Sequence, residues 1–247
     1  MQKICTFTIK ELLTNGVHIG HIELNPKMAK YVFGKRNNIH IIDLEQTAER
    51  LNIALNAIKS ITSQNGRILF VSSRENFADI TEKSAVSCGQ YYVNKRWLGG
   101  MLTNRSTIEN SIKTMREYSR TLQDEDIKMT KKEKAILQRK YDNLNRNLGG
   151  IRNMGGLPDL VIIIGKENKV ALQEAKKLRI PICAIADTNF NPEEIKYVIP
   201  GNDDSIKSIS FFYGLFAKAA LVGIQESLGG TDIKLTDSNI VLQNSEL

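Results

Sequence analysis

The apolar positions of this 247-residue chain follow two rhythms, and the change between them divides it. Arg67-Ile-Leu-Phe-Val-Ser72 and Leu160-Val-Ile-Ile-Ile-Gly165 are almost continuously apolar, the pattern of strands covered on both faces of a parallel sheet. Ile39–Asp43, residues 90–93, Ile182-Cys-Ala-Ile-Ala-Asp187 and a shorter Tyr197-Val-Ile199 supply the other strand candidates. Between them, residues 44–63 place Leu44, Ala48, Leu51, Ala54, Leu55 and Ile58 on one helical face, and 74–88 and 167–179 read as two further helices. The densest apolar run, ISFFYGLFAKAALVGI at 209–224, is 16 residues long and contains Lys218. It is too short and too charged for a bilayer span and is expected to be a core helix, capped by Pro200–Asp204. Strands alternating with helices at this spacing predict a parallel sheet with right-handed crossovers.

Residues 105–148 have a different period. Ile108, Ile112, Met115 and Leu122 recur at spacings of 4, 3 and 7, and Leu137, Tyr141, Leu144 and Leu148 at 4, 3 and 4. These are the seams of two helices that pair with each other. A polar stretch, 123–129, separates them, and Thr130-Lys-Lys-Glu133 is a capping box for the second. The expectation is a protruding antiparallel coiled-coil hairpin with arms of about 27 Å. It is inserted into an α/β domain made of 1–104 and 149–228, with a loose polar tail at 229–247. At the N-terminus, Thr8-Ile-Lys-Glu11 is another capping box and Gly16 a stop, so 9–15 is a short helix. Residues 17–38 hold little apolar content and are expected to form an arm without structure of its own.

Composition sharpens this. The formal net charge is +7, which suits an acidic partner such as nucleic acid or anionic lipid. Residues 105–152 carry 12 Lys/Arg and 7 Asp/Glu, an excess of five that is most of that charge. Cys5, Cys88 and Cys183 are far apart and odd in number, without zinc spacing, so unpaired thiols in a reducing compartment are expected. The N-terminal MQKICTFTIKELL lacks an apolar h-region and cleavage site, so it is not expected to be a secretory signal, and a cytoplasmic location is expected.

The candidate chemistry centres on Asn94-Lys-Arg-Trp-Leu-Gly-Gly-Met-Leu-Thr-Asn104, a basic, aromatic, glycine-hinged loop after a strand. Candidate RNA-binding residues are Lys27, Lys30, Lys35, Arg36, Lys95, Arg96, Trp97, Arg105 and Arg152. The cations would neutralise phosphates, and Trp97 would either stack on unpaired bases or anchor the loop in the core. Dinucleotide and P-loop fingerprints are missing. The nearest approach, Gly150–Gly156, precedes its strand and lacks Lys and Ser/Thr. His18, His21 and His40 have no cysteines near them, and Asp187, Asp203 and Asp204 fit turn and cap roles, so neither metal nor cofactor is expected. Two competing readings remain. An α/β enzyme would use Asp187 and Asp203 as metal or acid–base groups in a pocket over the strand ends. A membrane-surface adaptor would need an exposed apolar face on the basic hairpin, and self-pairing consumes that face.

VNKRWLGGMLTN, LGGIRNMGGLPD, IPICAIADTN and VIPGNDDSI, with NPKM and GKRNNIHIIDL upstream, together resemble the bacterial form of the second protein of the small ribosomal subunit, over residues 5–228. The resemblance implies a flavodoxin-like three-layer αβα domain with a protruding coiled-coil hairpin, and a structural, non-enzymatic role on the solvent side of the subunit between head and body. The implied partners are small-subunit rRNA and neighbouring ribosomal proteins, including the large messenger-binding one, with no membrane and no small-molecule substrate. An organellar ribosome is the alternative location. By position, the family's RNA-facing loops fall at Pro26-Lys27, Lys35-Arg36 and Arg96-Trp97. One departure stands out: between His21 and Asn25 this chain has only Ile-Glu-Leu, where relatives carry a longer, tryptophan-containing stretch.

Overall fold

Apolar strands need cover on both faces, and the chain supplies it in three layers. The structure is a computed structural model and describes residues 6–124 and 129–229. Cys5, most of the 123–129 connection and the tail beyond 229 therefore lie outside the described residues. The chain runs α1 (Ile9–Thr14), a 3₁₀ turn (Pro26–Tyr31), β1 (Val32–Arg36), β2 (Ile39–Ile42), α2 (Leu44–Ser63), β3 (Ile68–Val71) and α3 (Ala78–Ser87). It continues through β4 (Tyr91–Val93), α4 (Arg105–Gln123), α5 (Lys131–Leu148), β5 (Leu160–Ile164), α6 (Lys169–Lys177), β6 (Ile182–Ala186), β7 (Tyr197–Pro200) and α7 (Ile206–Ser227).

Five strands form one parallel sheet in the order β4-β3-β5-β6-β7. Alternate side chains enter opposite cores, as the two-residue period requires. Ile68, Phe70, Leu160, Ile162, Cys183 and Ile185 face α2, α3 and α7. Leu69, Val71, Val161, Ile163 and Ala184 face α6, the loop after β4 and the base of α4 and α5. The run at 209–224 is a core helix, as expected. α7 is long and apolar enough to cross a membrane, yet its Phe212, Tyr213 and Phe216 are fully buried, and Tyr213 stands edge-on to Phe70 at 5.2 Å. Cys88 and Cys183 are buried free thiols, and burial pushes both up to about 12.

Two expectations are corrected. The strand at 39–43 does not join the parallel sheet. It becomes β2, antiparallel to β1, in a separate two-stranded ribbon. The reason is Asn37-Asn38, both at positive φ (48° and 65°), the backbone of a two-residue hairpin turn that asparagine tolerates. The half-exposed β2 lacks the all-buried pattern of β3, β5 and β6. Nor is 17–38 without structure: Val17, Met28 and Tyr31 are buried. Asn25 N donates to Thr188 O at 2.8 Å and Gly20 N to His40 O at 2.9 Å. A few well-placed anchors hold the arm where its average composition suggested none would. The shortened 22–24 segment is held the same way, with Thr188 Oγ1 donating to Glu23 O at 3.0 Å.

Both capping boxes form: Thr8 with Glu11, and Thr130 with Glu133. α4 and α5 pack on each other, with Ile108, Ile112, Met115 and Leu148 buried. Farther out, Leu122, Leu137 and Tyr141 are only half-buried.

Two glycines of α7 test the packing with opposite signs. A Cβ on Gly223 would lie 2.0 Å from Thr62 Oγ1 and 2.4 Å from Lys59 O of α2, whereas one on Gly214 would meet nothing within 4 Å. Gly223→Ala should destabilise the protein by about 1–3 kcal/mol through overpacking. Gly214→Ala should stabilise it by up to about 1 kcal/mol through helix propensity. Urea unfolding of both variants checks the pair.

Candidate nucleic-acid interface

The loop after β4 is built around a single carboxylate. Glu174, on the inner face of α6, is 8% exposed and accepts five hydrogen bonds. They come from Trp97 Nε1 (3.0 Å), Gly100 N (2.7 Å), Leu102 N (2.9 Å), Thr103 N (3.1 Å) and Thr103 Oγ1 (3.3 Å). Burial would push this carboxyl up, but the donors from Trp97, Leu102, Gly100 and Thr103 outweigh it and hold it below the usual value. Gly100 takes φ +89°, which lets the loop curl around the carboxylate. Asn94 ties the loop's start to α3, donating to Ala78 O (3.1 Å) and Glu82 Oε2 (3.0 Å).

Trp97 is 8% exposed and packs with the core below the sheet. Of its two candidate uses, this geometry fits the anchor, and Trp97 also lines a groove with Lys95 and Arg96. Lys95 is half-buried beside it and Arg96 exposed, so the anchor turns two cations outward.

The other candidate cations divide by what they already touch. Lys35, Arg36 and Arg152 are exposed, and with Lys95 and Arg96 they have no acidic partner within 4 Å among the described residues. Lys27 is paired with Glu193, Lys30 lies 4.9 Å from the centre of the Tyr31 ring, and Arg105 Nε pairs with Glu109 Oε1 at 3.2 Å. Arg146, in the last turn of α5, was not singled out from sequence, although it lines the same groove as Lys95 and Arg152. Its only sequence signal was a cation in a helix's last turn, where the macrodipole alone explains it.

A second constellation lies over the carboxyl ends of β6 and β7. His21 Nδ1 is 2.9 Å from Asp187 Oδ2, and His21 Nε2 is 3.0 Å from Asp204 Oδ2. One ligand atom each from His21, Asp187, Asp203 and Asp204 lie within 4.8 Å of one another. Asp203 is 1% exposed, yet neither carboxylate oxygen has a hydrogen-bond partner. Burial first, then the charge of Asp187, pushes it up to about 7 against the pull of Arg74, 3.7 Å away. Asp187 is also pushed up by burial, with Thr188 N and His21 opposing. One histidine and three carboxylates form a nitrogen–oxygen donor set of the kind that holds a divalent cation. Asp187 keeps the expected turn role, accepting from Thr188 N, and the fold adds the grouping with His21, Asp203 and Asp204. The turn leading into α7 is held by Asn202 Oδ1, which accepts from Asp204 N (2.8 Å) and Ser205 N (3.1 Å). Arg74 completes the network, reaching Glu167 at 2.6 Å, Asp203 O at 2.7 Å and Asp204 Oδ1 at 2.5 Å.

Two outcomes follow from this geometry. Glu174→Gln places an NH₂ among donors and should cost about 1–3 kcal/mol at pH 7, with a red shift of the single tryptophan's fluorescence. A carboxyl held low in the folded state stabilises fully above its unfolded value, near pH 5 and upward, and loses that contribution as pH falls through the folded value. The gap between variant and parent should therefore narrow in acid unfolding below about pH 4. Asp203 has the opposite sign: a raised carboxyl destabilises increasingly as pH rises from about 4 to 7. Asp203→Asn should raise the melting temperature of the metal-free protein at pH 8. It should also remove any stabilisation that micromolar zinc gives the parent, read by calorimetry.

Known proteins supply the context for this arrangement. The family model "Ribosomal protein S2" matches residues 12–223. The small ribosomal subunit protein uS2 of Rickettsia typhi is 50% identical over 240 residues, covering 94% of this chain and 81% of that protein. Its namesake in Rickettsia rickettsii is 47% identical over 255 residues, covering 99% and 86%, and that of Rickettsia prowazekii is 49% identical over 240, covering 94% and 81%. The matched span takes in the Glu174 clamp, its cationic loop and the His21 cluster, and on that coverage the chain belongs to the ribosomal protein S2 family.

Proposed function

We propose that this protein is a structural component of the small ribosomal subunit that binds rRNA and neighbouring ribosomal proteins and performs no catalysis of its own. The observation that carries this reading is near-full-length similarity to small-subunit proteins, joined to a rigid loop that turns Lys95 and Arg96 outward. The sheet domain, 1–104 with 149–228, is the platform. Lys35, Arg36, Lys95, Arg96 and Arg152 contact phosphates, while Lys27, Lys30 and Arg105 act mainly through their protein partners. Helices α4 and α5 form an antiparallel coiled-coil hairpin that props against a second surface of the particle. The large messenger-binding ribosomal protein is among the neighbours, and the site of action is the cytoplasmic ribosome.

The test is binding of the purified protein to small subunits stripped of it, scanned over salt. With about 6–10 phosphates engaged, affinity should fall roughly 10³–10⁵-fold between 50 and 200 mM salt. Arg36→Ala and Arg96→Ala should each weaken binding and lower the salt slope by about one. Absence of saturable binding at low salt would overturn the reading.

A further inference from the structure

The outer edge of β4 borders a groove of about 600 Å³. One wall is the edge strand, with the half-buried Tyr91 and Tyr92. The other is the last turn of α5 and the 3₁₀ turn Gly149–Ile151. A Cβ on Gly150 would lie 2.2 Å from Tyr92 O, so this glycine lets the wall close directly on the strand. Lys95, Arg146 and Arg152 line the groove, and no acid lies within 4 Å of their charged nitrogens among the described residues. The single acid in the lining, Glu82, is occupied, accepting from Asn94 Nδ2 at 3.0 Å.

Side-chain amides fill the space between the cations. Gln90 uses its Oε1 to accept from Ile68 N, and Asn147 uses its Nδ2 to donate to Asn143 O. That leaves the Gln90 Nε2 hydrogens to donate and the Asn147 Oδ1 to accept. Cations without partners suit phosphates, whereas a recess offering both donors and acceptors suits the edge of a base. The volume falls in the range of pockets that enclose small organic groups. An acidic peptide would use the cations but not the recess. A duplex would present its phosphates and keep its base edges inside.

We infer that this groove seats an unpaired stretch of RNA, with a base between β4 and the end of α5 and the adjoining phosphates on Arg146, Arg152 and Lys95. The strand continues past the loop, because Lys95 also lines a second groove with Arg96. There Glu167 is held by Arg74 at 2.6 Å, and Glu75 is the one acid left. The inference rests on the ribosomal reading and names the kind of RNA that one part of the surface takes.

The test uses the full chain with a photoreactive p-benzoylphenylalanine at position 147 or, as a control, at the exposed position 218 on α7. Each is assembled into small subunits lacking the protein and irradiated. The expected result is a crosslink from 147 to an unpaired rRNA nucleotide and none from 218. Incorporation with no RNA adduct at 147, or with an adduct to a protein or to a base-paired nucleotide, overturns the inference and leaves the ribosomal reading standing. Failure of the unmodified chain to enter the subunit overturns both. Independently, the double variant Arg146→Ala with Arg152→Ala should keep the parent's melting temperature and lower the slope of log affinity on log salt by about 1.4, two single-strand contacts. An unchanged slope overturns the inference.

Discussion

A loop that turns cations outward cannot rely on those cations to fold it, because they repel one another. Glu174 resolves this. One carboxylate, nearly buried, gathers an indole N–H, three backbone amides and a hydroxyl from residues 97–103. Such charge-assisted bonds are stronger than neutral ones, and five of them answer the cost of burying the charge. With Trp97 drawn inward, Lys95 and Arg96 are left outside, and α4 starts at Arg105 from a fixed base. The loop is thus held by the protein's own contacts, and in the proposed RNA-binding role less ordering entropy would oppose association.

The periodic parts of this fold were legible in the sequence because burial on two faces leaves an unmistakable apolar run. β3, β5, β6 and α7 stand where Ile68–Val71, Leu160–Ile164, Ile182–Ala186 and the 209–224 run predict them. Capping boxes were equally readable, since their partners lie three residues apart. What failed had long-range or single-residue causes. β2 has a strand's composition but follows an Asn-Asn turn, and that turn gives it to β1. The arm is seated by Thr188, more than 160 residues away, which no local pattern announces. The site divided the same way. The outward cations were legible by type and position, whereas Glu174 looked like any helix carboxylate, and His21 met its aspartates only through the fold.

The C-terminal ends of the strands are where a doubly wound sheet ordinarily holds a ligand, at the point where the strand order reverses. Here that point lies between β3 and β5, and the chain's own groups meet across it. Ser73 Oγ bonds Asn168 Oδ1 at 2.5 Å, and Arg74, following β3, clasps Glu167 after β5 and Asp204 beyond β7. Charge is consequently sorted over one rim of the sheet. Acids and the arm's histidine collect over β6 and β7, while unpaired cations collect around β4 and the base of α5. Such sorting gives a single protein two faces of opposite character, one suited to cations or basic partners and one to phosphates.

The two edges of the sheet carry this argument further. An open edge strand invites pairing with another chain, so each edge needs a device that blunts it. At β7 the device is Pro200, which lacks an N–H and whose carbonyl is taken by Thr47 Oγ1 at 2.8 Å. At β4 it is the Leu148–Arg152 segment, which folds back onto Tyr92 and can do so only with glycine at 150. A segment short enough in side chain to cover a strand edge leaves a recess beside it, and the residues flanking its glycines, Arg146 and Arg152, rim that recess. The cationic groove is therefore a by-product of closing the sheet. The glycines of that segment are thus explained by the strand edge they close upon.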